Sequence, residues 1–63
     1  MLTIPELETA RDQLRSALAF IEAVRGSYIS AAYVEGARLL GDAAKLVADE
    51  IAALDKAISG AKP

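Results

Sequence analysis

A stripe of basic side chains in the first half of the sequence has the composition of a binding surface. Arg11, Arg15, Leu18, Glu22 and Arg25 follow one another at intervals of three or four residues, which places them on one side of an α-helix. The planar guanidinium group of arginine pairs with carboxylates and phosphates through parallel hydrogen bonds. The stripe therefore predicts contact with an acidic protein partner or with the phosphates of RNA or a nucleotide.

The charge balance of the chain disfavours nucleic acid as that partner. Acidic side chains at Glu8, Asp12 and Glu22 lie among the arginines, the net charge is −2 and the isoelectric point is near 4.9. Nucleic-acid-binding domains instead concentrate positive charge. A simpler interpretation is that the arginine stems cover neighbouring apolar surface while their charged heads stay in water. Phosphate binding remains the alternative, through four residues: Arg11, Arg15, Arg25 and Arg38.

The residue types that catalysis needs are scarce. The sequence has no histidine and no cysteine, so the usual general base, thiol nucleophile and soft metal ligands are absent. Its four serines have no activating base beside them in the predicted fold. The carboxylate pairs Glu8/Asp12 and Asp49/Glu50 do not resemble a calcium-binding loop. We therefore predict a protein that is not an enzyme and has no catalytic residue, metal site or cofactor.

A first helix, over about residues 4–25, would carry the arginine stripe. Thr3 followed three residues later by Glu6 matches a capping box, and Pro5 falls in the first turn, the one part of a helix that tolerates proline. Gly26 suits the left-handed position that follows a helix end. The helix has an apolar seam with alternating spacings of three and four residues, made of Leu7, Ala10, Leu14, Ala17, Ile21 and Val24.

A second helix is predicted over about residues 31–59, after a turn at residues 26–30 and before a frayed tail at residues 60–63. Ser30 is the preferred N-cap, because Ile29 and Val34 stand at the two positions of a hydrophobic staple, and Ser27 is a second candidate. Charged residues on the outer side form a solvated stripe of i,i+3 and i,i+4 pairs. The apolar seam of this helix is Tyr33, Ala37, Leu40, Ala44, Val47, Ile51, Leu54 and Ile58.

The phase of the two seams excludes one long helix. Continuing the first seam beyond Val24 would bury a row of charges, and the second seam is rotated from it by roughly 200° at about 100° per residue. A three-helix alternative places a break at Gly41, with Asp42 as the next N-cap. The second seam passes through Gly41 without a change of phase, which favours a single second helix. The predicted fold is therefore all-α, an antiparallel two-helix hairpin.

This hairpin has more apolar surface than two helices can bury against each other. A chain of 63 residues buries only about 60% of its unfolded surface, and this one has no cysteine for a disulfide. A further row containing Leu39 and Leu46 runs beside the second seam, where one neighbouring helix cannot cover it. We predict a homodimeric four-helix bundle or a higher oligomer. Its predicted interface is Leu14, Ile21, Leu39, Leu40, Leu46, Val47, Ile51 and Leu54.

Three further residues are candidates for contact with a partner. Glu50 projects into the apolar arc, so it either reaches solvent at the interface edge or pairs with an arginine of another chain. Tyr28 and Ile29 fall in the predicted turn, and an amphipathic tyrosine beside an apolar residue is a common anchor at interfaces.

The sequence also restricts location and partners. The amino terminus lacks the basic start and long apolar segment of a signal peptide. The longest charge-free run, residues 26–34, is far shorter than the roughly 20 residues of a membrane span. We expect a cytoplasmic protein with no membrane contact. The primary hypothesis is a non-catalytic interaction protein that binds itself and another protein, as a regulator, inhibitor, adaptor or chaperone. A second alternative to phosphate binding is an obligate small subunit of a larger complex.

Overall fold

The chain folds into two antiparallel helices that pack side by side. A computed structural model describes residues 1–61; Lys62 and Pro63, the end of the predicted tail, lie outside them. Helix α1 spans Ile4–Ser30 and helix α2 spans Val34–Ala61, and no strand occurs in the described part. The hairpin measures 48 × 17 × 14 Å. The prediction of an all-α two-helix hairpin is confirmed.

Helix α1 begins at the predicted capping box. The backbone amide of Thr3 donates to Glu6 Oε1 at 3.0 Å, and the amide of Glu6 donates to Thr3 Oγ1 at 3.3 Å. These bonds satisfy amide groups that no helical carbonyl can reach. They also lower the pKa of the Glu6 carboxyl, the bond from the Thr3 backbone most of all. The cap therefore stabilises α1 at neutral pH, and this contribution disappears as the pH falls through the lowered pKa.

The end of α1 differs from the prediction. The helix continues five residues beyond Arg25, to Ser30. Gly26 is an ordinary helical residue rather than the left-handed residue after a helix end. Neither predicted N-cap is correct, because Ser30 is the last residue of α1 and Ser27 lies within that helix, where its hydroxyl donates to the Ala23 carbonyl. The predicted turn at residues 26–30 is thus wrong, and residues 31–33 make the connection.

The connection is a Schellman motif with alanine in the place usually held by glycine. Ala32 has a φ of 58°, in the left-handed region. The Ala32 amide donates to the Ile29 carbonyl at 3.0 Å, and the Tyr33 amide donates to the Tyr28 carbonyl at 2.8 Å. This pair of bonds defines the motif and satisfies carbonyls at the helix end. The sequence has alanine rather than glycine at this position, so it carries no local signal for the motif.

Two tyrosine rings close the turn against a glycine. The rings of Tyr28 and Tyr33 lie 5.0 Å apart at 59° to each other, which is the apolar contact that often accompanies a Schellman motif. Both rings rest on Gly36, which is buried. A Cβ atom at Gly36 would lie 2.6 Å from Tyr33 Cε2 and 2.8 Å from Tyr28 Cδ2. The absence of a side chain at residue 36 therefore permits the close approach of the two helices at the turn.

Helix α2 runs without a break through Gly41 to Ala61, so the three-helix alternative is wrong. Gly41 accommodates the side chain of Arg25, whose Nε lies 3.3 Å from the position of a Cβ at residue 41. Gly60 and Ala61, predicted as part of a frayed tail, belong to the last turn of α2.

The core between the helices is thin. Most of the predicted seam is half-buried, including Leu14, Ile21 and Val47. In α1, however, Ala17 is exposed and Leu18 is half-buried in its place. Within residues 1–61, Ile58 is the single fully buried apolar side chain, at 3% exposure. Two helices in contact along one line leave most of each helix surface uncovered, so a fully buried interior does not form.

The packing of Gly36 makes two glycine-to-alanine substitutions behave differently. Gly26→Ala should raise the free energy of unfolding by about 1 kcal/mol, because no atom lies within 4 Å of the added methyl group. Gly36→Ala must displace the tyrosine rings, an overpacking cost of about 1–3 kcal/mol. Urea denaturation at one fixed protein concentration should rank the Gly36 variant below the Gly26 variant by about that cost. Equal stabilities would contradict the tyrosine–glycine packing.

The backbone of Ala32 gives a second stability prediction. A left-handed conformation costs a residue with a Cβ about 1–2 kcal/mol, and glycine avoids that cost. Ala32→Gly should therefore raise the unfolding free energy, by up to about 1 kcal/mol after the entropy of the unfolded chain is counted. Its neighbour Ala31 has a φ of −85°, so Ala31→Gly is the control and should lower stability. The same denaturation measurement tests both, and a loss of stability in both variants would contradict the Schellman geometry.

Candidate interaction surfaces

The register of the hairpin divides its surface into two broad sides. Arg11 contacts Asp55, and Arg25 lies against Gly41, so these four residues mark one side, called here the charged side. At about 100° per residue, the two neighbours of a core residue point to opposite sides. Leu40 has Gly41 on one flank, which places Leu39 on the other side, called here the apolar side.

The same argument places two more large residues on the apolar side. Phe20 and Glu22 flank the core residue Ile21, and Glu22 belongs to the arginine stripe, so Phe20 points the other way. Leu46 follows Leu39 by seven residues and shares its side. Phe20 lies nine residues after Arg11 and Leu46 nine residues before Asp55, so the two lie at the same height along the hairpin.

The apolar side presents these large side chains to solvent. The exposed fraction is 71% for Phe20, 53% for Leu39 and 71% for Leu46. Leu39 and Leu46 were predicted as interface residues, whereas Phe20 was not. The sequence contains a signal for Phe20, since a phenylalanine directly before the core residue Ile21 widens the apolar arc of α1. The three residues are exposed on the same side of the hairpin, and large exposed apolar side chains grouped on one side are a common feature of interaction sites.

The remaining predicted interface residues lie in the contact between α1 and α2. All six are half-buried within a single chain: Leu14, Ile21, Leu40, Val47, Ile51 and Leu54. These six residues belong to the apolar seams of the two helices, and each seam packs against the other helix of the same chain. They can extend an interface between chains only at their exposed edges. The apolar side adds surface that no part of residues 1–61 covers.

Glu50 is the carboxylate of the apolar side. It precedes the core residue Ile51 and follows Leu46 by four residues, so it stands next to Leu46 on that side. Its side chain is exposed, and it forms no ion pair with the described part of the chain. Within the single chain, Glu50 therefore reaches solvent, and its pairing with an arginine of another chain stays a prediction.

The arginines of the charged side are held by carboxylates of their own chain. Arg11 Nη1 lies 3.5 Å from Asp55 Oδ1 and Arg15 Nη2 lies 3.4 Å from Asp55 Oδ2, so one carboxylate bridges both guanidinium groups across the helices. Arg11 also pairs with Asp12 at 3.1 Å, and this hydrogen bond is the main cause of its raised pKa. Only 20% of the Arg11 side chain is exposed. Arg11 and Arg15 thus stabilise the contact between α1 and α2.

Arg38 has acidic partners on its own helix. Its Nη2 lies 2.7 Å from Glu35 Oε1, and its Nη1 lies 3.9 Å from Asp42 Oδ2. These are the predicted i,i+3 and i,i+4 pairs of the solvated stripe of α2. Arg25 differs from the other three arginines predicted to bind phosphate. It forms no ion pair or side-chain hydrogen bond with any residue in the described range.

A groove at the turn end brings Arg25 together with exposed apolar residues. The groove has a volume of about 370 Å³ and lies between the end of α1 and the start of α2. Its lining is Arg25, Ile29, Ala32, Val34, Ala37 and Arg38. Ile29 was a predicted partner-binding residue and does line the groove. Tyr28, predicted beside it, instead packs half-buried against Tyr33 and Gly36.

The described residues show no metal site or membrane-spanning helix. No group of three or more acidic side chains within residues 1–61 is placed to hold a metal ion. Over the same range, neither helix is long and apolar enough to cross a bilayer.

Comparison with protein families, with curated protein sequences and with solved structures gave no match to this chain. Function must therefore be inferred from the hairpin itself, a helical protein with one exposed apolar side and one arginine-bearing groove.

The Asp55 bridge predicts a salt-dependent contribution to stability. Asp55→Asn removes the charge shared by Arg11 and Arg15, so it should lower the urea midpoint slightly at low salt. The difference from the unsubstituted protein should shrink at about 1 M NaCl, where the Debye length is about 3 Å. Asp49→Asn is the matched control, because Asp49 is exposed and has no ion pair within residues 1–61. Equal effects of both substitutions at low salt would contradict a bridging role for Asp55.

Proposed function

We propose that the protein is a non-catalytic interaction module that pairs with a second copy of itself through its apolar side, forming a four-helix bundle. The observation that carries this proposal is the exposure of Phe20, Leu39 and Leu46 on one side of a hairpin that buries a single apolar side chain among the residues described.

The dimensions of the hairpin support association. A compact protein of 6.6 kDa has an accessible surface of about 3,900 Å², and this chain has 4525 Å². A compact domain of the same length has a radius of gyration of about 10.6 Å, and the hairpin has 14.4 Å. The excess surface and the extended shape support the proposed association, because burial of apolar surface is the main favourable term in it.

The exposed residues of the apolar side are also well placed for a two-fold dimer. Phe20 and Leu46 lie at one height near the middle of the hairpin, where a two-fold axis would bring both copies of each residue together. The residues around them on α2 are small, including Ala43, Ala53 and Ala57, which permits close approach of helices. Glu50 would lie near the edge of such an interface, with its carboxylate free to reach water or a cation of the second chain.

The non-catalytic part of the proposal rests on residue chemistry. The full sequence has neither histidine nor cysteine, and the arginines that could stabilise a developing negative charge are mostly paired with carboxylates. The same pairing weighs against phosphate binding, because Arg11, Arg15 and Arg38 would have to exchange existing partners for a phosphate.

Sedimentation equilibrium with circular dichroism over a dilution series tests self-association. Burial of a fully exposed leucine side chain is worth about 1.5–3 kcal/mol. Leu46 is 71% exposed and a dimer buries it twice, so Leu46→Gln should weaken the dimer by at least about thirtyfold. Ala48→Gln is the control, because Ala48 lies on the opposite flank of Val47 and is exposed. This variant should dimerise like the unsubstituted protein.

Three outcomes would contradict the proposal. A folded, helical monomer at all concentrations would show that the apolar side does not pair with itself. An unfolded monomer at all concentrations would instead favour an obligate small subunit that folds on a larger partner. Equal weakening by Leu46→Gln and Ala48→Gln would place the interface elsewhere on the hairpin.

A further inference from the structure

The groove at the turn has the features of a peptide-binding site that the dimer would leave open. Arg25 and the neighbouring Gly41 lie on the charged side, away from Phe20 and Leu46. Pairing through the apolar side therefore leaves the groove facing solvent, at the end of the bundle. A dimer would present one such groove on each chain.

The floor of the groove is apolar and accessible. Ile29 is 57% exposed and Val34 is 76% exposed, and Ala32 and Ala37 also line the groove. The Schellman turn fixes this arrangement, because it sets the angle at which α2 leaves the end of α1. A surface that is held rigidly costs little entropy when a ligand binds. The groove is therefore suited to an aliphatic side chain.

The charge at the rim of the groove is not balanced. The Arg38 guanidinium is paired with Glu35 and Asp42, whereas Arg25 has no such partner among residues 1–61. The groove lies between the C-terminal end of α1 and the first residue of α2, Val34, where the partial charges of the two helix dipoles oppose each other, so Arg25 is the source of unpaired positive charge. An arginine beside apolar surface and without an acidic partner favours a ligand that supplies the carboxylate.

From this complementarity we propose that the groove binds a peptide segment of another protein in which a carboxylate side chain stands next to an aliphatic side chain. Arg25 pairs with the carboxylate, and Ile29 and Val34 contact the aliphatic group. This inference rests on the proposed function as an interaction module, and it adds a second binding site with a defined partner chemistry.

Nuclear magnetic resonance titration with two matched probes tests the proposal. The probes are N-acetyl-leucyl-glutamyl-leucinamide and its glutaminyl counterpart, which differ only in charge. The glutamyl peptide should shift the amide signals of Ile29, Ala32, Val34 and Ala37 in a saturable way. It should bind about threefold more tightly than the glutaminyl peptide, the ratio expected for one ion pair with an exposed arginine, and this preference should diminish with added NaCl.

Two arginine variants identify the group that recognises the carboxylate. Arg25→Gln should remove the preference for the glutamyl peptide, while circular dichroism shows unchanged helicity. Arg15→Gln is the control, because Arg15 lies on the same side but does not line the groove, and it should keep the preference. Val34→Ser should lower the affinity for both peptides by the same factor.

Three results would overturn the proposal: no saturable shift at the groove with either peptide, equal affinity for both peptides, or stronger shifts of the same signals with inorganic phosphate than with the glutamyl peptide. The last result would favour a nucleic acid or nucleotide as the partner. A result against peptide binding in the groove can be distinguished from a result against the dimer, because sedimentation of the unliganded chain measures dimer formation separately.

Discussion

The contact of Tyr28 and Tyr33 with Gly36 is the constraint on which the rest of the hairpin depends. It holds the Schellman turn closed and brings the start of α2 against the end of α1. Because both helices are rigid, this one contact sets their register along the whole length. The approach of Arg25 to Gly41 and the pairing of Arg11 with Asp55 follow from that register.

The two proposed binding surfaces are consequences of the same geometry. A two-helix hairpin can bury only the line where its helices touch, so side chains beside that line stay exposed unless another chain covers them. On one side these are Phe20, Leu39 and Leu46, which favour a second copy. On the other side most of the flanking residues are arginines and carboxylates that satisfy one another. Arg25 is the exception among the arginines of the described range, and its position beside an apolar groove gives that side a distinct binding chemistry.

The regular parts of the fold were predictable because helical structure is encoded locally. The capping box at Thr3 and Glu6 and the seams of both helices depend on residues within one or two turns of each other. The turn was not predictable in the same way. A glycine after the helix end predicts Gly26 at the left-handed position, but in the structure Ala32 occupies it, because the tyrosine contact across the turn offsets the cost of the left-handed backbone. A visible signal was that Tyr28 continues the seven-residue repeat of Leu14 and Ile21.

Periodicity and composition are enough to predict that the chain is helical, that it changes direction once, and that its apolar surface exceeds what two helices can bury. These properties need no knowledge of distant contacts. The position of the turn and the set of exposed side chains depend instead on how the two helices pack. Arg11 and Arg25 are equivalent members of one helical stripe in the sequence. In the packed hairpin, however, Arg11 forms an ion pair with Asp55, whereas Arg25 has no carboxylate partner in the described range. That difference depends on the register across the hairpin, which residues far apart in the chain establish together.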